Sequence, residues 1–135
     1  MAKDTQDKIA LYEMQADICH ALSHPVRLYI LDLLANGEMS SSQLLEILEI
    51  PKANLSQHLT VLKNAGILKT HKAGPFQMLT LAIPKIKDAC QLVRGILSDR
   101  LTDEQKHMTE LRKKLDVQVK KSKKTIKKIT KKESK

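Results

Sequence analysis

The sequence predicts a mainly α-helical protein with one small β-hairpin, and three observations carry that prediction. The 135 residues include only 4 Gly and 4 Pro, too few turn formers for an all-β fold. Apolar residues recur at helical spacing in five separate stretches. Two short extended runs are separated by Ala73-Gly74-Pro75, a turn-forming step. At 41% apolar the chain can bury a core, but with one Phe, two Tyr and no Trp that core is aliphatic. So few aromatics argue against a base-stacking module, whose platform needs exposed rings.

The first helix is expected over residues 5–22. Ile9, Tyr12, Ala16 and Cys19 follow helical spacing, with Leu11, Met14, Ile18 and Leu22 in a neighbouring row. That apolar face is wider than one small helix needs for packing within its own subunit. Ser23-His24-Pro25 stops it, because the residue before Pro avoids helical angles. Pro25 suits the first turn of a second helix, 25–35, with Val26, Ile30, Leu31 and Leu34 inward and Asn36-Gly37 as its end. Ser40 followed by Gln43 is a capping-box pattern that opens a third helix over 41–48. Pro51 leads into a fourth, 52–65, closed by Gly66. Two short helices joined by a tight turn, the second amphipathic, form a helix-turn-helix. Extended stretches at 67–72 and 76–82 make the hairpin, and Pro84 starts a fifth helix over 85–101, with Ile86, Ala89, Cys90, Val93 and Leu97 on one face.

Charge divides the chain. Residues 1–111 balance at −1, and residues 112–135 carry +10, so the whole net charge of +9 sits in the last 24 residues. Nine of the sixteen residues from Lys120 onward are Lys. Such a segment repels itself and buries little, so the expectation is a domain over 1–101 and a basic extension over 102–135, partly helical and then disordered. Its partner is a polyanion. Two cysteines are too few for a disulfide framework or a self-contained thiolate metal site. The polar start lacks a signal-peptide core, and no apolar run reaches membrane-spanning length. A cytoplasmic, nucleoid-associated protein without membrane partners is therefore expected.

Leu55, Leu59 and Leu62 define the buried side of the fourth helix. The opposite side then shows Ala53, Gln57, Thr60 and Asn64, with Asn54 and Ser56 flanking. Uncharged hydrogen-bonding side chains suit base edges, since Asn and Gln bond adenine in bidentate fashion and Ser or Thr serves base or phosphate. Lys52 and Lys63 lie toward the flanks, where phosphates pass. An ordinary polar helix surface is the competing reading of the same residues.

Ala21-Leu22-Ser23-His24-Pro25-Val26-Arg27, then Gly37-Glu38, Leu55-Ser56-Gln57-His58-Leu59 and Leu62-Lys63-Asn64-Ala65-Gly66-Ile67-Leu68 appear in that order before the hairpin. Over residues 10–101 this resembles the ArsR/SmtB family of winged helix-turn-helix regulators. The resemblance implies a homodimer built on the first and fifth helices that reads a palindromic operator in double-stranded DNA. It adds His58 to the DNA-contacting set and makes the hairpin a wing, with Lys69, His71 and Lys72 near phosphate. Pro75-Phe76 stands where many relatives have a basic residue after the wing glycine, which weakens deep minor-groove contact by the tip.

Sensing residues are less legible. The family's Cys-x-Cys soft-metal site maps to Glu38-Met39-Ser40-Ser41-Ser42-Gln43-Leu44, where Ser40 and Ser42 replace the thiols, and hydroxyls are poor ligands for soft metals. The family's interhelical site maps to Asp88, Cys90, Leu101 and Glu104, with His107 as a substitute ligand. Cys19 and Cys90 fall on the two expected dimerisation helices and are candidates for a thiol-redox or thiol-reactive effector site. Buried structural cysteines are the bland alternative. No cofactor is required by this reading; a metal ion or thiol-reactive effector is the optional ligand. No phosphate loop, metalloprotease motif or nucleophile with an orienting His and acid occurs, so no enzyme is expected. The expected function is a homodimeric repressor that leaves its operator on an effector or thiol-redox signal. The alternative is an architectural, nonspecific DNA-binding protein dominated by the tail.

Overall fold

A computed structural model of the chain describes residues 2–133. In chain order these form α1 (Lys3–Leu22), α2 (Pro25–Leu34), β1 (Met39–Ser40), α3 (Ser41–Leu48), α4 (Lys52–Asn64), β2 (Leu68–Ala73), β3 (Phe76–Leu81) and α5 (Lys85–Glu133). Two compact units result, residues 1–91 and residues 92–135.

Within the first unit the helix boundaries follow local chemistry. Pro25 occupies the first turn of α2, and the His24 side chain caps it, Nδ1 accepting from the Val26 N–H at 3.1 Å. The capping box at α3 is complete: Ser40 Oγ accepts from the Gln43 N–H at 3.1 Å and Gln43 Oε1 accepts from the Ser40 N–H at 2.9 Å. At the end of α4, Gly66 (φ 76°) takes the left-handed position. The Ile67 N–H reaches back to the Leu62 carbonyl and the Gly66 N–H to the Lys63 carbonyl, a Schellman closure that buries Ile67 fully.

The core is aliphatic, as the aromatic count requires. Ile30, Leu31 and Leu34 of α2 meet Leu44 of α3, Leu55, Leu59 and Leu62 of α4, and Leu68 and Leu79 of the sheet. Burial of these side chains, worth roughly 1.5–3 kcal/mol each, orients α4 against α2 and leaves its other side outward.

The sheet has three strands, not the two of the expected hairpin, in the order β1-β3-β2. β2 and β3 pair antiparallel from Leu68↔Leu81 to Ala73↔Phe76 around Gly74-Pro75. Gly74 has φ 61°, suited to the first position of a two-residue mirror-image turn. β1 adds Met39↔Leu79 and Ser40↔Met78. Two residues are too few to show alternation, so β1 has no signature in the sequence.

The second departure lies in α5. The expected break near residue 101 is absent, the units divide after Gln91, and the helix continues to Glu133 in place of a disordered tail. Two features of composition account for this. No Gly or Pro follows Gly95, and Lys, Leu, Gln and Glu are good helix formers. Lys residues also recur at three- and four-residue spacing opposite the apolar ones, so the charges spread over the solvated side. Ser134 and Lys135, the end of the expected extension, lie outside the described residues. Among those described, no helix is long and apolar enough to cross a membrane.

Candidate nucleic-acid interface

α4 presents Lys52, Ala53, Asn54, Ser56, Gln57, Thr60 and Asn64 to solvent, while Leu55, Leu59 and Leu62 anchor its other side. The outward set is that expected from the sequence. Thr60 Oγ1 donates to the Ser56 carbonyl at 2.9 Å, which leaves the hydroxyl as an acceptor toward any ligand. Lys63 is half-buried.

His58 departs from the expected DNA-facing set. Its ring is half-buried on the inner flank of α4, tilted against His24 with centroids 4.3 Å apart. Nδ1 of His58 lies 3.3 Å from Arg27 Nη1 and accepts from it. Arg27 is itself buried, its Nε donating to the Ala21 carbonyl at 2.6 Å and its Nη2 to the His20 carbonyl at 3.2 Å. One guanidinium thus joins the carbonyl end of α1, the first turn of α2 and the inner flank of α4. A cation at a helix C-terminus also meets the negative end of the dipole. Sequence reading missed this because the spacing from Ala21 to His58 carries no local pattern; the signal available was an Arg one turn into an apolar helix.

Burial, then His24, then the Arg27 guanidinium push the His58 pKa below the usual imidazole value of about 6.5. The unfolded chain therefore binds the proton more readily than the folded one. Stability supplied by neutral His58 is present above about pH 6.5 and is lost as pH falls toward the lower folded value. The melting temperature is expected to drop between pH 7.5 and pH 5, and His58→Gln to flatten that slope. Equal slopes in the two proteins would remove His58 as the cause.

In the wing, Lys69 and Lys72 on β2 are exposed. His71 Nε2 lies 3.2 Å from Glu38 Oε2, so its ring engages a carboxylate just before β1. Phe76 is also exposed, at the turn. Cys19 is exposed on α1, whereas Cys90 is half-buried against the core cluster. Among the described residues no three His, Cys, Asp or Glu gather to hold a metal ion. Of the four residues read as weak ligands, Asp88 and Cys90 belong to the first unit, and Glu104 and His107 to the second. Glu104 Oε1 accepts from Arg100 Nε at 3.0 Å.

This geometry has counterparts. Residues 24–70, from the α2 cap into the first strand of the wing, match the family described as "Bacterial regulatory protein, arsR family". An uncharacterized HTH-type transcriptional regulator of Methanocaldococcus jannaschii is 39% identical over 83 residues, 61% of this chain and 93% of that relative. The transcriptional repressor SdpR of Bacillus subtilis is 34% identical over 73 residues, 54% of this chain and 81% of the repressor. A solution structure of a homodimeric winged helix-turn-helix DNA-binding domain from Mycobacterium bovis superposes with a TM-score of 0.66 at 29% identity, covering 75% of this chain and 94% of that domain. With its capped α2, helix-turn-helix and wing, the chain belongs to the arsR family of bacterial regulatory proteins.

Proposed function

We propose that this regulator is a homodimeric, sequence-specific repressor that reads a palindromic operator with α4 and is released by a signal acting on its dimer surface. The observation that carries the reading is the outward face of α4, polar yet uncharged at Asn54, Ser56, Gln57 and Thr60, on a helix pinned by three buried leucines. A helix that bound only phosphate would present Lys there. Lys52 and Lys63 on α4 and Lys69 and Lys72 on the wing then position the backbone, and the bases are read between them.

Gln57→Ala should weaken binding to the DNA upstream of the protein's own gene by about 10- to 100-fold, the range of one bidentate base contact. Scrambled DNA should be hardly affected. Equal losses on both DNAs would sink the base-reading role.

Dimerisation is supported by apolar surface without a partner in the first unit. Leu11, Tyr12 and Met14 on α1 are each about two-thirds exposed, which is unusual for large apolar side chains of one helix. A second copy of the chain covers them in this reading, through α1 and the start of α5.

For release, an exposed thiol at Cys19 and a half-buried one at Cys90 fit a thiol-reactive signal. Mild disulfide or polysulfide treatment is expected to abolish operator binding, and Cys19→Ser or Cys90→Ser to retain it after treatment. Binding indifferent to treatment would leave the repressor standing and move the search to metal ions and metabolites. The basic second unit favours one rival, an architectural protein that binds any sequence; a steep salt dependence with no preference between operator and scrambled DNA would mark that case.

A further inference from the structure

Two imidazoles and a guanidinium meet where the end of α1, the start of α2 and the inner flank of α4 converge. Their hydrogen bonds fix both tautomers. The Val26 N–H can only donate, so Nδ1 of His24 offers a lone pair and the ring proton sits on Nε2. Arg27 likewise has donors alone, so Nδ1 of His58 accepts from Nη1 at 3.3 Å. Both rings are therefore neutral in this arrangement, and a second proton on either has one place to go, Nδ1. There it turns an acceptor into a donor and ends the bond. At His24 that bond is the cap of α2; at His58 it is the tie between α4 and Arg27.

The charges around His58 act against such a proton. His24, with ring centroids 4.3 Å away, and Arg27 both oppose a further positive charge there. From α1 come the His20 and Ala21 carbonyls, both taken by Arg27, while Asp17 and His20 themselves are exposed. On β2, Lys69, His71 and Lys72 are exposed as well. On α4 itself, helical spacing puts Lys52 and Lys63 on the other flank. Arg27 is held in place, because Nε and Nη2 tie it to the two carbonyls and its side chain is buried. The partner that yields is His58, whose half-buried ring can turn toward solvent and leave the inner flank of α4 untied.

We propose that this junction is a proton switch on the DNA-reading helix. Proton uptake at His58 breaks its bond to Arg27, frees the inner flank of α4 and weakens operator binding as pH falls. The inference rests on the reading of α4 as the base-reading helix, and it adds a release route that involves neither cysteine. Gln57, on the outward face, directly precedes His58, so a shift of α4 at His58 carries the reading side chains with it. The sign sets this switch apart from general electrostatics. Protonation of the chain's other histidines adds positive charge, which by itself strengthens attraction to phosphate. A fall in affinity on acidification therefore needs a specific cause.

The test is binding of the full chain, thiols reduced, to the DNA upstream of its own gene and to scrambled DNA, from pH 7.5 to pH 5.5 at fixed ionic strength. Wild-type affinity for the upstream DNA should fall by up to about tenfold per protomer at pH 5.5, the ceiling for an imidazole that titrates below about 6.5. His58→Gln keeps an acceptor for Arg27 without a titrating ring, so its affinity should hold or rise over the same range. His24→Asn keeps a capping side chain and removes one positive neighbour, so its fall should begin at higher pH than that of wild type. Parallel falls in wild type and His58→Gln overturn the switch, as does a wild-type affinity that holds or rises. A lack of preference between the two DNAs at pH 7.5 overturns the base-reading role instead, and the switch is then judged from the backbone amide chemical shifts of α4. Those shifts should follow the His58 ring titration in wild type. Amides of α4 that ignore that titration overturn the switch whatever the DNA shows, and this readout also decides the matter where a variant does not fold.

Discussion

Replacing Lys113, Lys120, Lys124, Lys127, Lys128 and Lys131 together by Gln is expected to flatten the salt dependence of DNA binding by about 5 in log K against log[salt] for each protomer. The figure follows from about 0.9 of a released counterion per phosphate contact, with all six side chains engaged. Between about 50 and 200 mM salt that corresponds to roughly a thousandfold of affinity. The six residues share one side of α5, opposite its apolar residues Leu101, Met108, Leu111 and Leu115. Operator and scrambled DNA should lose affinity alike, because phosphate contacts position the protein without reading sequence. An unchanged slope would show that the extension is solvated and that α4 and the wing supply the whole electrostatic attraction.

Arg27→Ala is expected to destabilise the fold by about 3–4 kcal/mol. Each hydrogen bond to a charged group contributes roughly 1.5–3 kcal/mol, and the guanidinium makes two to backbone carbonyls and one to His58. Truncation also opens a cavity beneath the start of α2, where the side chain is 9% exposed. Arg27→Lys should recover little, since an ammonium cannot reach the Ala21 carbonyl, the His20 carbonyl and the His58 ring from one fork. Chemical denaturation of the three proteins checks both values. A loss below about 1 kcal/mol for Arg27→Ala would mean that water replaces the guanidinium at the end of α1. Because Arg27 also holds the flank of α4, the same variant should weaken operator binding under conditions where it remains folded.

Much of the helix-turn-helix and wing was legible because its signals are local. Pro25 at a helix start, the Ser40/Gln43 box, Gly66 at a helix end and Gly74 in the turn each act within five residues, and each sits where it was expected. The leucine spacing on α4 likewise separates an inner from an outer side without knowledge of what lies inside. His58 was misplaced because adjacency to Gln57 in the chain says nothing about the side it faces; Arg27, thirty-one residues away, decides that. His71 is exposed on β2 and also lies 3.2 Å from Glu38, a contact between segments that its own position in the chain does not announce. The C-terminal helix was missed for another reason. Counting Lys registers their mutual repulsion, whereas their spacing, which puts most of them on one side, determines whether a helix survives it.

The sequence by itself determined the class of fold, the order of its helices, the aliphatic core and the polar uncharged face of α4, since capping, turn chemistry and periodicity are properties of short segments. Tertiary structure decided the rest. β1 exists only because β3 offers it an edge at Leu79 and Met78. The guanidinium of Arg27 finds its three acceptors only once α1, α2 and α4 have converged. Those contacts join residues far apart in the chain, and no short-range pattern encodes which distant groups will meet when the core closes.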